Sequence, residues 1–334
     1  MGTQTRRAGG FSFDGLKAYA LRADADAGVN DDTEALRQLL EQRIAHWLDG
    51  GAHGEADLLN AAMRAGTLSA GKRLRPLLLM LVARDLGCTS PALIDVACAV
   101  EMVHAASLML DDMPCMDNAM LRRGRPTIHV QFGEDVAILA AIALLSRAFG
   151  ILSSNQDIAP GVRARLVTRL ADTIGAQGLV KGQFLDLRGG LRSPDDIATT
   201  NELKTGVLLG VSVDMAAIIA QADEATTASL RAFAFAAGQA FQIRDDLQDG
   251  PGNDSAITGK DVGKDIGKAT LIATLGAEQA RRRLAGHLDE AERCLADALG
   301  ERQGTRRLVR SLFGGRDFGA PAATPVAAPA FLAN

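Results

Sequence analysis

The chain has 334 residues, 47% of them hydrophobic but only 4% aromatic, and a formal net charge of −4. Its apolar content comes from Ala, Leu, Val and Ile in long periodic runs, which favours helices over strands, and its mild acidity leaves no electrostatic footprint for nucleic acid. The four cysteines, Cys88, Cys98, Cys115 and Cys294, form no CxxC pair and show no zinc-like spacing with histidine, so they read as reduced thiols in a cytoplasmic protein.

Arg6 and Arg7 have no apolar stretch behind them, which excludes a secretory signal. Residues 1–30 read as loosely ordered, residues 31–312 as one all-α domain without an internal linker, and residues 313–334 as a disordered Ala/Pro-rich tail. The first predicted helix, DDTEALRQLLEQRIAHWL, opens on acidic capping residues and places Leu36, Leu39, Leu40, Ile44 and Leu48 on one stripe. A second begins at Ser90 and Pro91 and runs through an apolar stretch to Asp111 and Asp112. Further helices are predicted at about 134–153, 159–178, 195–221, 225–249 and 277–299, with Gly or Pro in the gaps. The apolar stretches Val96 to Leu110 and Val136 to Leu145 are too short or interrupted to span a bilayer and read as buried core helices.

The ends of two of these helices carry the chemistry. A helix C-terminus is partially negative, so Asp111 and Asp112 at the end of an apolar helix need a positive partner. Pro114 breaks the helix. On a continuing helix Asp117 would point about 240° away from Asp111, so it must return from a bend. A second cluster, GQAFQIRDDLQDG, ends another apolar helix with Asp245 and Asp249 four apart on one face and Asp246 beside them. Hard oxygens at two helix mouths suit Mg²⁺, which takes one or two carboxylates and completes its shell with water and phosphate. Cations that can hold the same phosphates follow: Lys72 and Arg75 in GKRLRP, Arg122 and Arg123 in LRRGRP, Lys204 and Thr205 in LKTG, and Lys260, Lys264 and Lys268 in GKDVGKDIGKAT. Lys264 also fits a merely solvated loop. DDLQDG copies part of a calcium loop, but Leu247 and Ala256 stand where ligands belong, and GKDIGKAT has the wrong glycine spacing for a nucleotide loop.

Taken together and in order, GKRLRP, the DDxxxxD cluster, LRRGRPTIH, GQFLDL, KTG and FQxxDDxxD resemble the trans-isoprenyl diphosphate synthases, most closely the bacterial geranylgeranyl diphosphate synthases of carotenoid pathways. The resemblance covers about residues 35 to 300. It implies the isoprenoid synthase fold, a single-domain bundle of ten or more helices around a central cavity, usually as a homodimer without a membrane span. It also implies that Asp111, Asp112, Asp117, Asp245 and Asp249 hold three Mg²⁺ ions on an allylic diphosphate bound by Arg122, Lys204, Thr205, Gln242, Lys260 and Lys268. Lys72, Arg75, His104 and Arg123 would bind isopentenyl diphosphate. Asn118 departs from the pattern, since many relatives carry a further acid there.

The implied reaction condenses isopentenyl diphosphate with an allylic diphosphate such as farnesyl diphosphate, and Ala106 and Ser107, about 6 to 7.5 Å down the helix from Asp111, are expected to line the tunnel for the growing tail. In the resembling family an aromatic at the Ala106 position stops growth at 15 carbons, so small residues here imply a 20-carbon product. The floor is expected from Met102, Val103 and the stretch Phe132 to Leu139. A farnesyl or longer-chain synthase, a class I terpene cyclase and a silent partner subunit are the alternatives. A cyclase has no need of Lys72, Arg75 and Arg123, and a silent subunit no need of intact acids.

Overall fold

The structure is a computed structural model in which residues 29–49, 56–188, 199–200, 202–248 and 276–313 are described. Among the described residues it contains twelve α-helices, one π-helical segment and a single two-residue β-pair. In chain order these are α1 (Val29–Leu48), α2 (Ala56–Leu68), α3 (Leu74–Asp85), α4 (Leu93–Asp111), β1 (Leu121–Arg122), β2 (Arg125–Pro126), α5 (Ile128–Phe132), α6 (Glu134–Ser154), α7 (Pro160–Ile174), α8 (Leu179–Arg188), the π segment (Glu202–Gly206), α9 (Val207–Ala220), α10 (Glu224–Gln248), α11 (Ala277–Leu299) and α12 (Gly304–Phe313). The predicted all-α class holds. Of the ends expected to be loosely ordered, residues 1–30, and disordered, residues 313–334, residues 1–28 and 314–334 lie outside the described residues, while Val29 and Asn30 open α1 and Phe313 closes α12.

The centre of the bundle is α4. A helix apolar on every side belongs inside a core, and α4 is buried along its first eleven residues and again at Ala105, Ala106 and Met109. Besides Leu110, the half-buried residues are His104, Ser107, Leu108 and Asp111, which share one helical face that leads to the acids. Against α4 runs α6, whose buried residues Ala137, Ala140, Ala141 and Ala148 are small enough to let two helices approach closely. The stripe expected on α1 is the observed one, with Leu36, Leu40, Ile44 and Leu48 almost fully buried. A smaller apolar cluster of Ala240, Ile243, Ala280, Leu284 and Phe313 joins α10, α11 and α12.

By length and composition alone α4 and α6 could each cross a bilayer, yet 78% of the apolar window in α4 is buried within this bundle, against 39% in α6. Two buried carboxylates fasten the helices around this centre. Asp95 of α4 accepts from Arg43 at 2.6 Å, Trp47 at 2.7 Å and Asn155 at 3.0 Å. Asp214 of α9 pairs with Arg169 of α7 at 2.5 Å and Arg231 of α10 at 2.7 Å. Each acid is buried in an apolar helix and each has its charge satisfied, as burial requires.

Some elements differ from those expected. The single helix predicted for 195–221 is interrupted by the π segment before α9, and the helix predicted for 159–178 stops at Ile174, ahead of Gly175. Apolar periodicity does not register a one-turn change in hydrogen bonding. Helices α2, α3, α5, α8 and α12 fall outside the expected set. Of these, α3 carries Pro76 in its first turn, where proline is tolerated because the missing N–H has no helical partner there.

Arg73 fixes the entry to α3 from a left-handed backbone position, φ 50°. Its buried guanidinium donates to Glu101 at 2.7 Å, Glu41 at 3.0 Å and the carbonyls of Thr67 and Ser69, both at 2.8 Å. Those four bonds hold the backbone between Lys72 and Arg75 and neutralise the buried Glu101 of α4. Removing the guanidinium strands that carboxylate, so Arg73→Met is expected to lower unfolding free energy by about 3–5 kcal/mol in urea titrations. A loss below about 1 kcal/mol, the worth of one ordinary hydrogen bond, would mean that Glu101 finds another partner.

Candidate active site

The first acidic loop turns back as its proline demands. Asp112 caps α4, and the backbone N–H of Asp117 then donates to the Asp111 carbonyl at 3.0 Å, while those of Asn118 and Ala119 reach Met113 at 2.9 Å and Asp112 at 3.1 Å. Asn118 sits at φ 49°, a left-handed conformation that asparagine tolerates better than most residues. The residue that departs from the resembling pattern therefore serves the turn that returns Asp117.

The positive partners arrive from three directions. Arg123 and Gly124, at φ 55° and 74°, form the two-residue turn between β1 and β2, the geometry favoured when both central residues have positive φ. This hairpin sends its two arginines to different places. Arg122 donates to both oxygens of Asp112 at 2.8 and 2.9 Å and approaches Asp111 to 3.7 Å. Burial pushes the Asp112 carboxyl up, with Arg122 pulling against it. Burial also opposes the charge of Arg122, but Asp112, Asp111 and Asp117 together hold it above its ordinary range. Arg123 instead donates to the Ala70 carbonyl at 2.6 Å, beside Gly71, where a Cβ would meet its guanidinium at 2.3 Å.

That places Arg123 next to GKRLRP. Arg75 lies 3.3 Å from His104 Nε2, while Lys72 is exposed on the same segment. Burial, then the charges of Arg75 and Arg123, hold the His104 imidazole well below its usual 6.5, so it stays neutral. Burial likewise lowers Arg75, against the pull of Glu101 and Asp245. The Nδ1 of His104 and the Nε of Arg75 are buried without a hydrogen-bond partner, as expected of donors kept ready for an anion.

Lys204 comes from the π segment. Its ammonium lies 2.6 Å from Asp186, 3.2 Å from Asp111 and 4.0 Å from Asp117. Burial works against the charge, but these three carboxylates outweigh it and raise the lysine. Asp186 belongs to α8, as does Gln183, whose amide donates to Asp111 Oδ1 at 2.5 Å. Both stand one helical step apart on a single face. What lets α8 lie so close is Gly182: a Cβ there would fall 2.6 Å from the backbone of both Leu203 and Lys204. Sequence reasoning quoted GQFLDL only as a motif and assigned no role to Gly182, Gln183 or Asp186; a glycine next to two polar residues at i, i+3 on one helix was the available signal. Thr205 occupies the same π segment.

In the second cluster Gln242 donates to Asp246 at 2.9 Å, and Asp245 is paired with Arg244 at 3.2 Å. Asp249, Lys260, Lys264 and Lys268 lie outside the described residues.

Residues 56–304 match the Polyprenyl synthetase family. The chain belongs to that family. A geranylgeranyl diphosphate synthase of Pantoea ananas is 48% identical over 289 residues, covering 85% of this chain and 94% of that protein. A farnesyl diphosphate synthase of Geobacillus stearothermophilus is 41% identical over 276 residues, covering 81% and 91% respectively. Among solved structures, a geranyltransferase of Helicobacter pylori complexed with magnesium and isoprenyl diphosphate superposes with a TM-score of 0.75 at 27% identity, over 87% of this chain and all of that one.

Within this polyprenyl synthetase the donor set fits magnesium. Every acid at the mouth offers hard oxygen, and among the described residues no three His, Cys, Asp or Glu side chains close on one point as an all-protein cage would. Magnesium is held instead by one or two carboxylates with phosphate and water completing its shell. Of the acids expected to hold it, Asp111, Asp112, Asp117 and Asp245 are described, and Lys204 and Arg122 lie against the first three.

Gly182→Ala is expected to keep the helical fold, since alanine favours a helix interior, while pushing the backbone of Lys204 away from Asp111. A displacement near 1 Å at a reacting centre costs about 100-fold in rate. Circular dichroism beside a radiolabelled condensation assay checks it, and wild-type turnover in this variant would show that the π segment yields without consequence.

Proposed function

We propose that the protein is a geranylgeranyl diphosphate synthase, joining isopentenyl diphosphate head-to-tail to an allylic diphosphate such as farnesyl diphosphate. One observation carries the reading: the cations form two separate sets, one ion-paired with acids and one gathered round a histidine. Arg122 and Lys204 lie against Asp112, Asp111 and Asp186, whereas Arg75 and Arg123 gather round neutral His104. The first set, with Thr205, Gln242, Lys260 and Lys268, takes the allylic diphosphate; the second, with Lys72, takes isopentenyl diphosphate. A cyclase, which handles one diphosphate, has no use for the second set.

Asp111, Asp112, Asp117, Asp245 and Asp249 would hold magnesium, three ions in this reading, which when bound would supply Lewis acidity to the departing pyrophosphate. As the allylic diphosphate arrives, Lys204 and Arg122 exchange carboxylate partners for phosphate oxygens, so the mouth stays neutralised throughout. The allylic C–O bond breaks with its electron pair on the pyrophosphate, and the isopentenyl double bond supplies the pair for the new C–C bond. The proton lost in restoring a double bond goes to the released pyrophosphate. The apolar walls of α4 keep water from the cation.

Chain length is assigned to α4 below Asp111. Ala106, Met102 and Val103 are fully buried, and Ser107 is half-buried with its hydroxyl on the His104 carbonyl at 2.8 Å. Ile138 and Leu139 of the expected floor are 40% and 55% exposed, so within one protomer they face outward and the alanines of α6 face α4. With dimethylallyl diphosphate as the primer, isopentenyl diphosphate and Mg²⁺, the expected main product is 20 carbons long, and Ala106→Phe is expected to shift it toward 15. Chromatography of the dephosphorylated products reads this out, with melting curves alongside because overpacking a core costs about 1–3 kcal/mol. A stable Ala106→Phe still making 20 carbons moves the floor elsewhere; a wild type that stops at 15 is a farnesyl synthase, the second reading that the Geobacillus relative supports.

The exposed apolar residues Val130, Ile138, Leu139 and Ile142 mark one side of α5 and α6. That face is assigned to a second copy of the chain, and the four unpaired thiols to a cytoplasmic setting. Light scattering of the wild type is expected to give twice the chain mass, falling to one chain mass in Leu139→Glu/Ile142→Glu; a monomeric wild type would refute the homodimer.

A further inference from the structure

Arg244 precedes the first acid of the second cluster, and its side chain is only 4% exposed. One arm of its guanidinium donates to the carbonyl of Leu312 at 2.6 Å and the other to Asp245 Oδ1 at 3.2 Å. Its Cζ lies over the ring of Phe241, 4.5 Å from the centroid, and over that of Phe313, at 5.3 Å. Leu312 and Phe313 form the last turn of α12, where carbonyls lack helical partners and a cation is favoured. Adjacent side chains on a helix diverge by about 100°, so the bond from Arg244 to Asp245 is not an automatic result of sequence proximity.

We propose that Arg244 is a positioning residue that couples the end of α12 to the Asp245 carboxylate, so that the C-terminal helix sets how well the second acidic cluster holds magnesium diphosphate. Three features hold the guanidinium before any ligand arrives: the Leu312 carbonyl and the two aromatic rings beneath its charge. The remaining arm fixes the carboxylate. One oxygen of Asp245 is thereby engaged, and the charge of the same carboxylate is felt by Arg75. Lysine, with a single point of charge, cannot span Leu312 and Asp245 together as a planar fork does.

The coupling rests on the prenyltransferase reading above, and the test separates the two. Calorimetric titration of the full chain with Mg²⁺ and inorganic pyrophosphate is compared with titration by isopentenyl diphosphate alone, for wild type, Arg244→Met, Arg244→Lys, Phe313→Ala and the Met/Ala double variant. Methionine keeps the buried stem and loses both donors. Arg244→Met is expected to weaken magnesium pyrophosphate binding by about 10- to 100-fold, the usual cost of losing a group that orients a metal ligand. Phe313→Ala should move it the same way by less, and Arg244→Lys should recover part. The double variant should match Arg244→Met, because both act through one guanidinium. Isopentenyl diphosphate binding should not change. Arg244→Met that melts cooperatively yet binds magnesium pyrophosphate normally would overturn the coupling, as would equal loss for both ligands. Should Arg244→Met fail to fold, Phe313→Ala decides alone, and normal magnesium pyrophosphate binding there overturns it. A wild type that binds no magnesium pyrophosphate removes the underlying reading itself.

Discussion

The structure turns on charge placed where a helix resists it. Asp111 and Asp112 end a helix buried along most of its length, at the pole where the peptide dipoles are already negative. Each carboxylate has an assigned counter-charge: Arg122 for Asp112, Lys204 with the Gln183 amide for Asp111. These partners come from a hairpin, a π segment and α8, which are far apart in sequence. Packing of the outer elements is in this sense organised by the needs of one helix end. The same arrangement leaves the acids poised, because a cation that neutralises a carboxylate across a short gap can instead meet a phosphate carried to that carboxylate by a metal.

The π segment shows how local irregularity is used. An extra residue in one turn alters where the side chains point, and such turns recur at functional sites. Here it carries Lys204 toward three acids while α9 continues beyond it as a regular buried helix. Gly182 is its counterpart on α8, since the backbones approach too closely for any Cβ. Neither feature is apolar, and neither leaves a trace in a periodic pattern.

This explains which parts of the molecule were legible in the sequence. Burial leaves a repeat of 3.6 residues, so α1, α4, α6, α10 and α11 could be placed from their apolar spacing. Chemistry leaves residue types, so both acidic clusters and the arginine pair could be named, though not the hairpin that carries the arginines. What could not be read was contact between distant segments. Arg73 stands between Lys72 and Arg75 and looks like another phosphate ligand, yet it is spent wholly on Glu41, Glu101 and two carbonyls. Asn118 looked like a lost acid and is a turn residue at positive φ. Short helices such as α8 and α12 carry few apolar repeats, and their polar residues matter through partners that the chain alone does not reveal.

The turn at Arg123 and Gly124 has a consequence for the spacing of the two anion sites. Arg122 and Arg123 are joined by one peptide bond, which fixes their Cα atoms about 3.8 Å apart, and the turn then aims one at Asp112 and the other toward Ala70. Whatever moves one arginine moves the other. If the two proposed anion sites are gripped by these arginines, the one-peptide link limits how far breathing of the surrounding helices could change the separation of the grips. In a condensation that must bring two carbon atoms to bonding distance from molecules gripped only by their diphosphates, a fixed separation between grips does for alignment what no single tight contact could.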